Sequence, residues 1–163
     1  MTRLTWLIGP PGVGKSTFAR SQQEFSRCVE LTEMLSPLVD PLRIRQGVLT
    51  ANARLVEAIR AIEQHPGNSA LAPLLVVAGL VPEDVLFPLR PNEQVWMLLP
   101  ERARWERQLR SRPVGGGFSQ QYDDFDYSAL WYDRFQEWQR RGLPMRNLHV
   151  EFEPQLLGKI VDH

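Results

Sequence analysis

Gly9, Gly14, Lys15 and Ser16 are the residues of this chain whose types and spacing speak most directly of chemistry. They anchor the run Gly9-Pro10-Pro11-Gly12-Val13-Gly14-Lys15-Ser16, which satisfies G-x-x-x-x-G-K-[ST] at every fixed position. Glycines let such a segment curl until successive main-chain N–H groups converge, and a helix starting at its end adds the positive end of its dipole. A row of phosphate oxygens is the guest that suits this cradle. Lys15 is then placed to bridge the β- and γ-phosphates of ATP or GTP, the Ser16 hydroxyl to be a ligand of Mg²⁺, and Thr17 to reach the α-phosphate region. Every residue from Gly9 to Thr17 is a candidate nucleotide contact. Composition singles out Lys15 independently, because nearly all the basic residues are arginine and Lys159 is the only other lysine.

A loop of this kind needs a buried strand before it and a helix after it, and the sequence supplies both. Leu4 to Ile8 is a short apolar run stopped by Gly-Pro-Pro-Gly, and Lys15 to Phe25 reads as helix. Arg27 to Leu31 suits a second strand. The stretch from Thr32 to Gly47, broken by Pro37 and Pro41, is expected to form short helical pieces. Thr50 can cap the next helix, in which Leu55, Val56, Ile59 and Ile62 recur at helical spacing until His65-Pro-Gly-Asn-Ser ends it. Leu74 to Ala78 and Gln94 to Leu99 are continuous apolar runs of the kind covered on both faces of a parallel sheet. Glu101 to Arg112 reads as an arginine-rich helix, followed by Pro113-Val-Gly-Gly-Gly-Phe118. Tyr127 to Arg141 is a further helix, Asn147 to Phe152 a final strand and Gln155 to Val161 a last helical turn or two. Alternation of strands and helices implies βαβ units and a parallel sheet wrapped on both faces. With 163 residues, no internal repeat and no linker, a single domain over residues 1–163 is expected.

The loop Gly9-Pro-Pro-Gly-Val-Gly-Lys-Ser-Thr-Phe-Ala-Arg20 resembles that of the small P-loop kinases, the group of adenylate-type, shikimate, gluconate and polynucleotide kinases and zeta-toxin-like enzymes. The segment from Gln94 to Pro113 is similar to the strand, acidic turn and arginine-bearing helix that lead into the mobile lid of those enzymes. The resemblance implies a three-layer α/β/α P-loop fold with a five-stranded parallel sheet of order 2-3-1-4-5 and a short lid over about residues 102–126. It also implies an acidic residue after the second strand that receives the proton of an acceptor hydroxyl or helps to hold the metal. Glu33 is the favoured residue for that role and Glu30, one strand step earlier, the other. Arg107, Arg110 and Arg112 are the lid candidates for neutralising charge on a transferred phosphoryl group.

One departure from the family pattern is plain. A Walker B strand ends in an aspartate, yet Leu74-Leu-Val-Val-Ala-Gly-Leu80 has alanine and glycine there. Glu83 and Asp84, just downstream, could serve the metal or cap a helix instead. Asp123, Asp124 and Asp126 suit a solvated loop whose last member caps the following helix. In that helix the stripe Tyr127, Trp131, Phe135 and Trp138 is expected to be core. Arg43 and Arg45 fall where related kinases hold the acceptor. His65, His149 and His163 have no metal-ligand spacing, and Cys28 is expected to be a small buried residue.

Acidic and basic residues balance at 19 each, so no overall field draws the chain to nucleic acid. A lone cysteine excludes an internal disulfide and any multi-cysteine zinc site, and fits a reducing cytoplasm. No apolar run approaches the roughly 20 residues that cross a bilayer, and the segment before the glycine loop is expected to be a strand rather than a signal peptide. The expected function is an ATP-dependent phosphotransferase that moves the γ-phosphate, with Mg²⁺, to a small molecule, a nucleotide or a nucleic-acid end. Two alternatives follow from the missing aspartate and the shared loop: a nucleotide-binding regulatory or scaffold protein, and an NTPase that drives a partner.

Overall fold

The apolar runs become five parallel strands: β1 (Leu4–Ile8), β2 (Arg27–Glu30), β3 (Leu74–Gly79), β4 (Glu93–Leu98) and β5 (Arg146–Leu148). A computed structural model describes residues 2–31, 34, 44–111 and 125–148. The strand order is β2-β3-β1-β4-β5, as the family resemblance implied. The central strand β1 is buried at every position and lies in register with β3 on one side and β4 on the other, Leu4 beside both Leu74 and Glu93. Covered on two faces, it has no reason to alternate polar with apolar side chains.

Five helices accompany the sheet among the described residues: α1 (Lys15–Ser21), α2 (Ile44–Glu63), α3 (Glu83–Leu86), α4 (Arg102–Arg110) and α5 (Phe125–Arg140). They lie on both sides of it. Residues in register on parallel strands share a face, so Leu7, Val77 and Trp96 point the same way. Phe18 of α1 meets the Trp96 ring edge-on at 6.2 Å, which places α1 over that face. Trp6, one residue from Leu7, points to the other face and lies under the Arg60 guanidinium of α2 at 5.5 Å. The aromatic stripe of α5 is core as expected, with Trp131, Phe135 and Trp138 all buried.

Several local expectations need correction. α1 stops at Ser21 instead of Phe25, because the chain turns at Gln22 and brings Phe25 back against Trp96 at 5.6 Å. Thr50 does not cap a helix: α2 already begins at Ile44 and passes through Gly47 and Thr50. Burial of Val48, Ala51 and Asn52 overrides the weak local signals of a glycine and a threonine. Ile62, expected on the buried stripe, is 55% exposed, while Arg60 and Glu63 on the same helix are 4% and 3% exposed. Cys28 is exposed, since β2 is an edge strand. Asp126 lies inside the first turn of α5 and not at its cap, because that helix starts at Phe125. The expected segment Gln155 to Val161, His149, His163, Asp123, Asp124 and most of the lid fall outside the described residues.

The buried charges of α2 are used at the strands' amino-terminal ends. Arg27, at the start of β2, donates to both carboxylate oxygens of Glu63, at 2.9 and 2.7 Å, and Arg3 adds an ion pair. These hydrogen bonds from Arg27, opposed by burial, hold the Glu63 carboxyl below the usual carboxylate range. Arg60 donates to Glu93 at the start of β4, 2.9 Å to Oε1 and 3.0 Å to Oε2, and to the main-chain carbonyls of Val85 and Leu86. The Trp6 indole also donates to Glu93 Oε1, at 3.2 Å.

Candidate active site

At the opposite, carboxyl ends of the strands lie Gly9 after β1, Glu30 closing β2, Gly79 closing β3 and Leu98 closing β4. The glycine loop joins β1 to α1, the context its pattern demands. Gly12 and Gly14 have φ of 78° and 92°, left-handed conformations in which a side chain is strained, and Gly14 forms the N-cap of α1. Gly9 is required for space: a Cβ there would stand 2.6 Å from the Leu98 carbonyl oxygen, a backbone atom that cannot turn aside. Val13, buried, fixes the loop from below.

The main-chain amides of Gly12, Val13, Gly14, Ser16 and Thr17 donate to no carbonyl among the described residues. Such a row of unmatched donors at a helix start fits a polyphosphate. The Lys15 ammonium donates to the carbonyls of Gly9 and Pro10, both at 2.9 Å, and so lies folded across its own loop. Its Cε also stands close to Gly79, where an added Cβ would be 3.6 Å away and φ is 67°. Phosphate oxygens can replace both carbonyl partners with a stronger, charge-assisted bond.

The Ser16 hydroxyl donates to Glu30 Oε1 in a short hydrogen bond. A carboxylate from the end of β2 therefore lies next to the expected metal ligand. Glu83 lies on the first turn of α3 and its carboxylate is paired with Arg141, and β3 closes on Ala78 and Gly79 without an acid. Glu33 and Arg112 fall outside the described residues, as do Arg43 and the side chain of Arg45. Arg107 and Arg110 are exposed in the last turn of α4, the Arg110 guanidinium 4.6 Å above the Phe125 ring. Arg102 is engaged elsewhere, in ion pairs with Glu106 and Asp133. Trp105, which sequence reasoning passed over, is fully buried and donates from its indole to the Pro11 carbonyl at 2.7 Å. One signal could have found it: a tryptophan in an arginine-rich helix marks the face turned inward.

No protein-family model matches this sequence, and neither does any curated protein. Solved structures do. An unliganded sugar kinase from Janibacter sp. HTCC2649 superposes with a TM-score of 0.56 at 15% identity, over 96% of this chain and 90% of that one. Shikimate kinase from Acinetobacter baumannii, in complex with shikimate, gives 0.59 at 12% identity, over 99% and 92%. Shikimate kinase from Bacteroides thetaiotaomicron gives 0.50 at 10% identity, over 98% and 94%. The chain has the fold of these small P-loop kinases. What is shared at such identities is the architecture, in which this chain places its glycine loop between the first strand and the first helix. Among the described residues no helix is long and apolar enough to cross a membrane, and no cluster of three or more His, Cys, Asp or Glu side chains could by itself hold a metal.

The glycine at position 9 gives a direct test of the loop. Gly9→Ala forces the loop mouth away from Leu98, at a cost of about 1–3 kcal/mol typical of an overpacked site. Calorimetry with Mg²⁺·ATP is expected to show at least a roughly tenfold weaker Kd, the equivalent of about 1.4 kcal/mol. An unchanged Kd would mean that the phosphates are not held by this loop.

Proposed function

We propose that this protein is an ATP-dependent phosphotransferase acting on a small hydroxyl-bearing molecule. The observation that carries this reading is the Ser16 hydroxyl bonded to Glu30 at the mouth of a loop in which the amides of Gly12, Val13, Gly14, Ser16 and Thr17 donate to no carbonyl among the described residues. In this reading Gly9, Pro10, Pro11, Gly12, Val13, Gly14, Lys15, Ser16 and Thr17 wrap the triphosphate. Ser16, with Glu30 bonded to its hydroxyl, would hold Mg²⁺, which would supply positive charge to the phosphate oxygens. The acceptor oxygen attacks the γ-phosphorus, the bond to the β–γ bridging oxygen breaks, and ADP leaves with the electron pair. Glu33, three residues beyond Glu30 in the chain, takes the hydroxyl proton. Lys15 and the arginines Arg107, Arg110 and Arg112 gather the charge that spreads over the γ-phosphoryl oxygens. Positioning and electrostatics suffice for such chemistry, and no covalent nucleophile is needed.

A second reading, nucleotide binding without transfer, is favoured by one observation, the β3 end at Gly79 with no carboxylate. Incubation with γ-labelled ATP, Mg²⁺ and a panel of hydroxyl acceptors separates the two. Label in an acceptor supports the kinase, free phosphate alone an NTPase, and tight binding with neither product a regulatory or scaffold protein.

Glu30 is the more discriminating residue. If its carboxylate stands in for the absent Walker B acid, Glu30→Gln lowers kcat by about 100-fold, the lower end of what loss of one preorganised electrostatic group costs. The Mg²⁺ concentration for half-maximal rate rises, while metal-free ADP binds within about twofold of the unaltered protein, a spread of under ~0.5 kcal/mol. A rate and a metal requirement both unmoved would return the acidic role to Glu33 alone.

A further inference from the structure

The phosphate loop opens with two residues that have no amide hydrogen. Pro10 and Pro11 bring carbonyls only, so after Gly9 the first donor the loop can offer is the Gly12 N–H. The Pro11–Gly12 peptide is trans, since the one cis bond described is Phe87–Pro88. A trans peptide holds its N–H and C=O on opposite sides, so the Gly12 N–H faces away from wherever the Pro11 carbonyl points. Gly12, at φ 78°, is the residue least able to stop that peptide from swivelling. Turned over, it would direct a carbonyl oxygen at the phosphates and withdraw a donor from them.

Trp105 prevents this. Its indole N–H meets the Pro11 carbonyl at 2.7 Å in a buried bond that joins α4 to the loop. The ring itself is immobilised: it is fully buried, with the Tyr132 ring at 4.8 Å, the Phe125 ring stacked at 6.2 Å and the Arg102 guanidinium over it at 5.7 Å. We infer that Trp105 is a positioning residue for nucleotide binding, whose indole N–H locks the Pro11–Gly12 peptide carbonyl-outward and so aims the Gly12 amide at the phosphates. The inference rests on the reading that this loop holds a polyphosphate, and adds to it a residue from outside the loop that sets the loop's binding-competent form. By reciprocity, a ligand that prefers the locked loop must strengthen the Trp105 bond in turn.

Two measurements test it, with Mg²⁺·tripolyphosphate as the probe because it engages the cradle and nothing else of a nucleotide. Trp105→Phe keeps an aromatic ring in the pocket and removes the donor together with part of the buried ring volume. Its Kd for Mg²⁺·tripolyphosphate and for Mg²⁺·ATP is expected to rise by the same factor, about five- to tenfold, the loss of one buried hydrogen bond. Its circular dichroism and cooperative melting are retained. Equal affinity of the variant and the unaltered protein overturns the inference and leaves the proposed function standing. In the unaltered protein, the Trp105 indole proton, followed by ¹H–¹⁵N spectra, is expected to exchange with solvent at least severalfold more slowly when tripolyphosphate saturates the site. This second measurement decides the matter even if the variant does not fold, since an indole proton indifferent to the ligand overturns the coupling. Absence of tripolyphosphate binding by the unaltered protein would remove both the inference and the nucleotide reading beneath it.

Discussion

Replacing Lys15 by alanine is expected to lower phosphoryl transfer by about 100- to 1,000-fold, the range seen when one preorganised charge-stabilising donor is removed from a site. Among the described residues Lys15 is the one lysine, and Arg107 and Arg110 belong to α4, the helix that leads toward the lid. The ammonium is already at the loop, bonded to the Gly9 and Pro10 carbonyls and close to Gly79. It therefore needs only to exchange carbonyls for phosphate oxygens when the nucleotide arrives. Lys15→Arg is a sharper control than alanine, because it keeps the charge and changes its shape. A planar fork is not a compact point charge, and activity below about a tenth of the original is expected, a loss of more than ~1.4 kcal/mol. The measurement is single-turnover transfer from γ-labelled ATP together with calorimetric affinity for Mg²⁺·ATP. Turnover and affinity indifferent to both substitutions would remove the phosphates from this loop altogether.

The second large effect is on stability. Glu93 is buried at the start of β4, where it accepts from Arg60 and from the Trp6 indole, and Arg60 is itself only 4% exposed. Glu93→Ala leaves that buried guanidinium with only the exposed Glu57 carboxylate, 3.3 Å away, as counter-charge, which costs about 3 kcal/mol, the lower end for a broken buried pair. In a domain of this size the melting midpoint is then expected to fall by on the order of 10 °C. The double replacement Arg60→Met with Glu93→Leu removes both charges and should recover most of the loss, because a well-packed apolar pair often serves as well as a buried ion pair. Differential scanning calorimetry of the three proteins checks this. A single variant that melts within about 2 °C of the original, equivalent to less than ~1 kcal/mol, would show the pair to be idle.

The parts of the fold legible in the sequence are those whose signal is local. The glycine loop could be read outright, because its spacing is its geometry: left-handed turns at Gly12 and Gly14 and a helix starting at Lys15. The three central strands could be read because burial on both faces leaves them continuously apolar. What was misread depends on partners distant in the chain. Arg60 and Glu63 carry no local signal of burial, and their inward partners, Glu93 and Arg27, lie far away in the chain. Ile62 is exposed, because the buried face of α2 runs through Val56, Ile59, Arg60 and Glu63. Spacing along the chain likewise could not separate Glu30 from Glu33, since the distinction depends on how α1 and the end of β2 approach each other. The Ser16 to Glu30 bond shows that approach for Glu30, and Glu33 lies outside the described residues.

The two rims of the sheet carry different burdens. Salt-linked side chains, Arg3 and Arg27 with Glu63 and Arg60 with Glu93, fasten the rim where the strands begin, whereas the glycine loop, Ser16 and Glu30 sit where they end. Heat tolerance and turnover are therefore separable traits in this chain. Selection, or an engineer, can harden the molecule at the first rim while leaving the chemistry at the second free to drift toward a new acceptor.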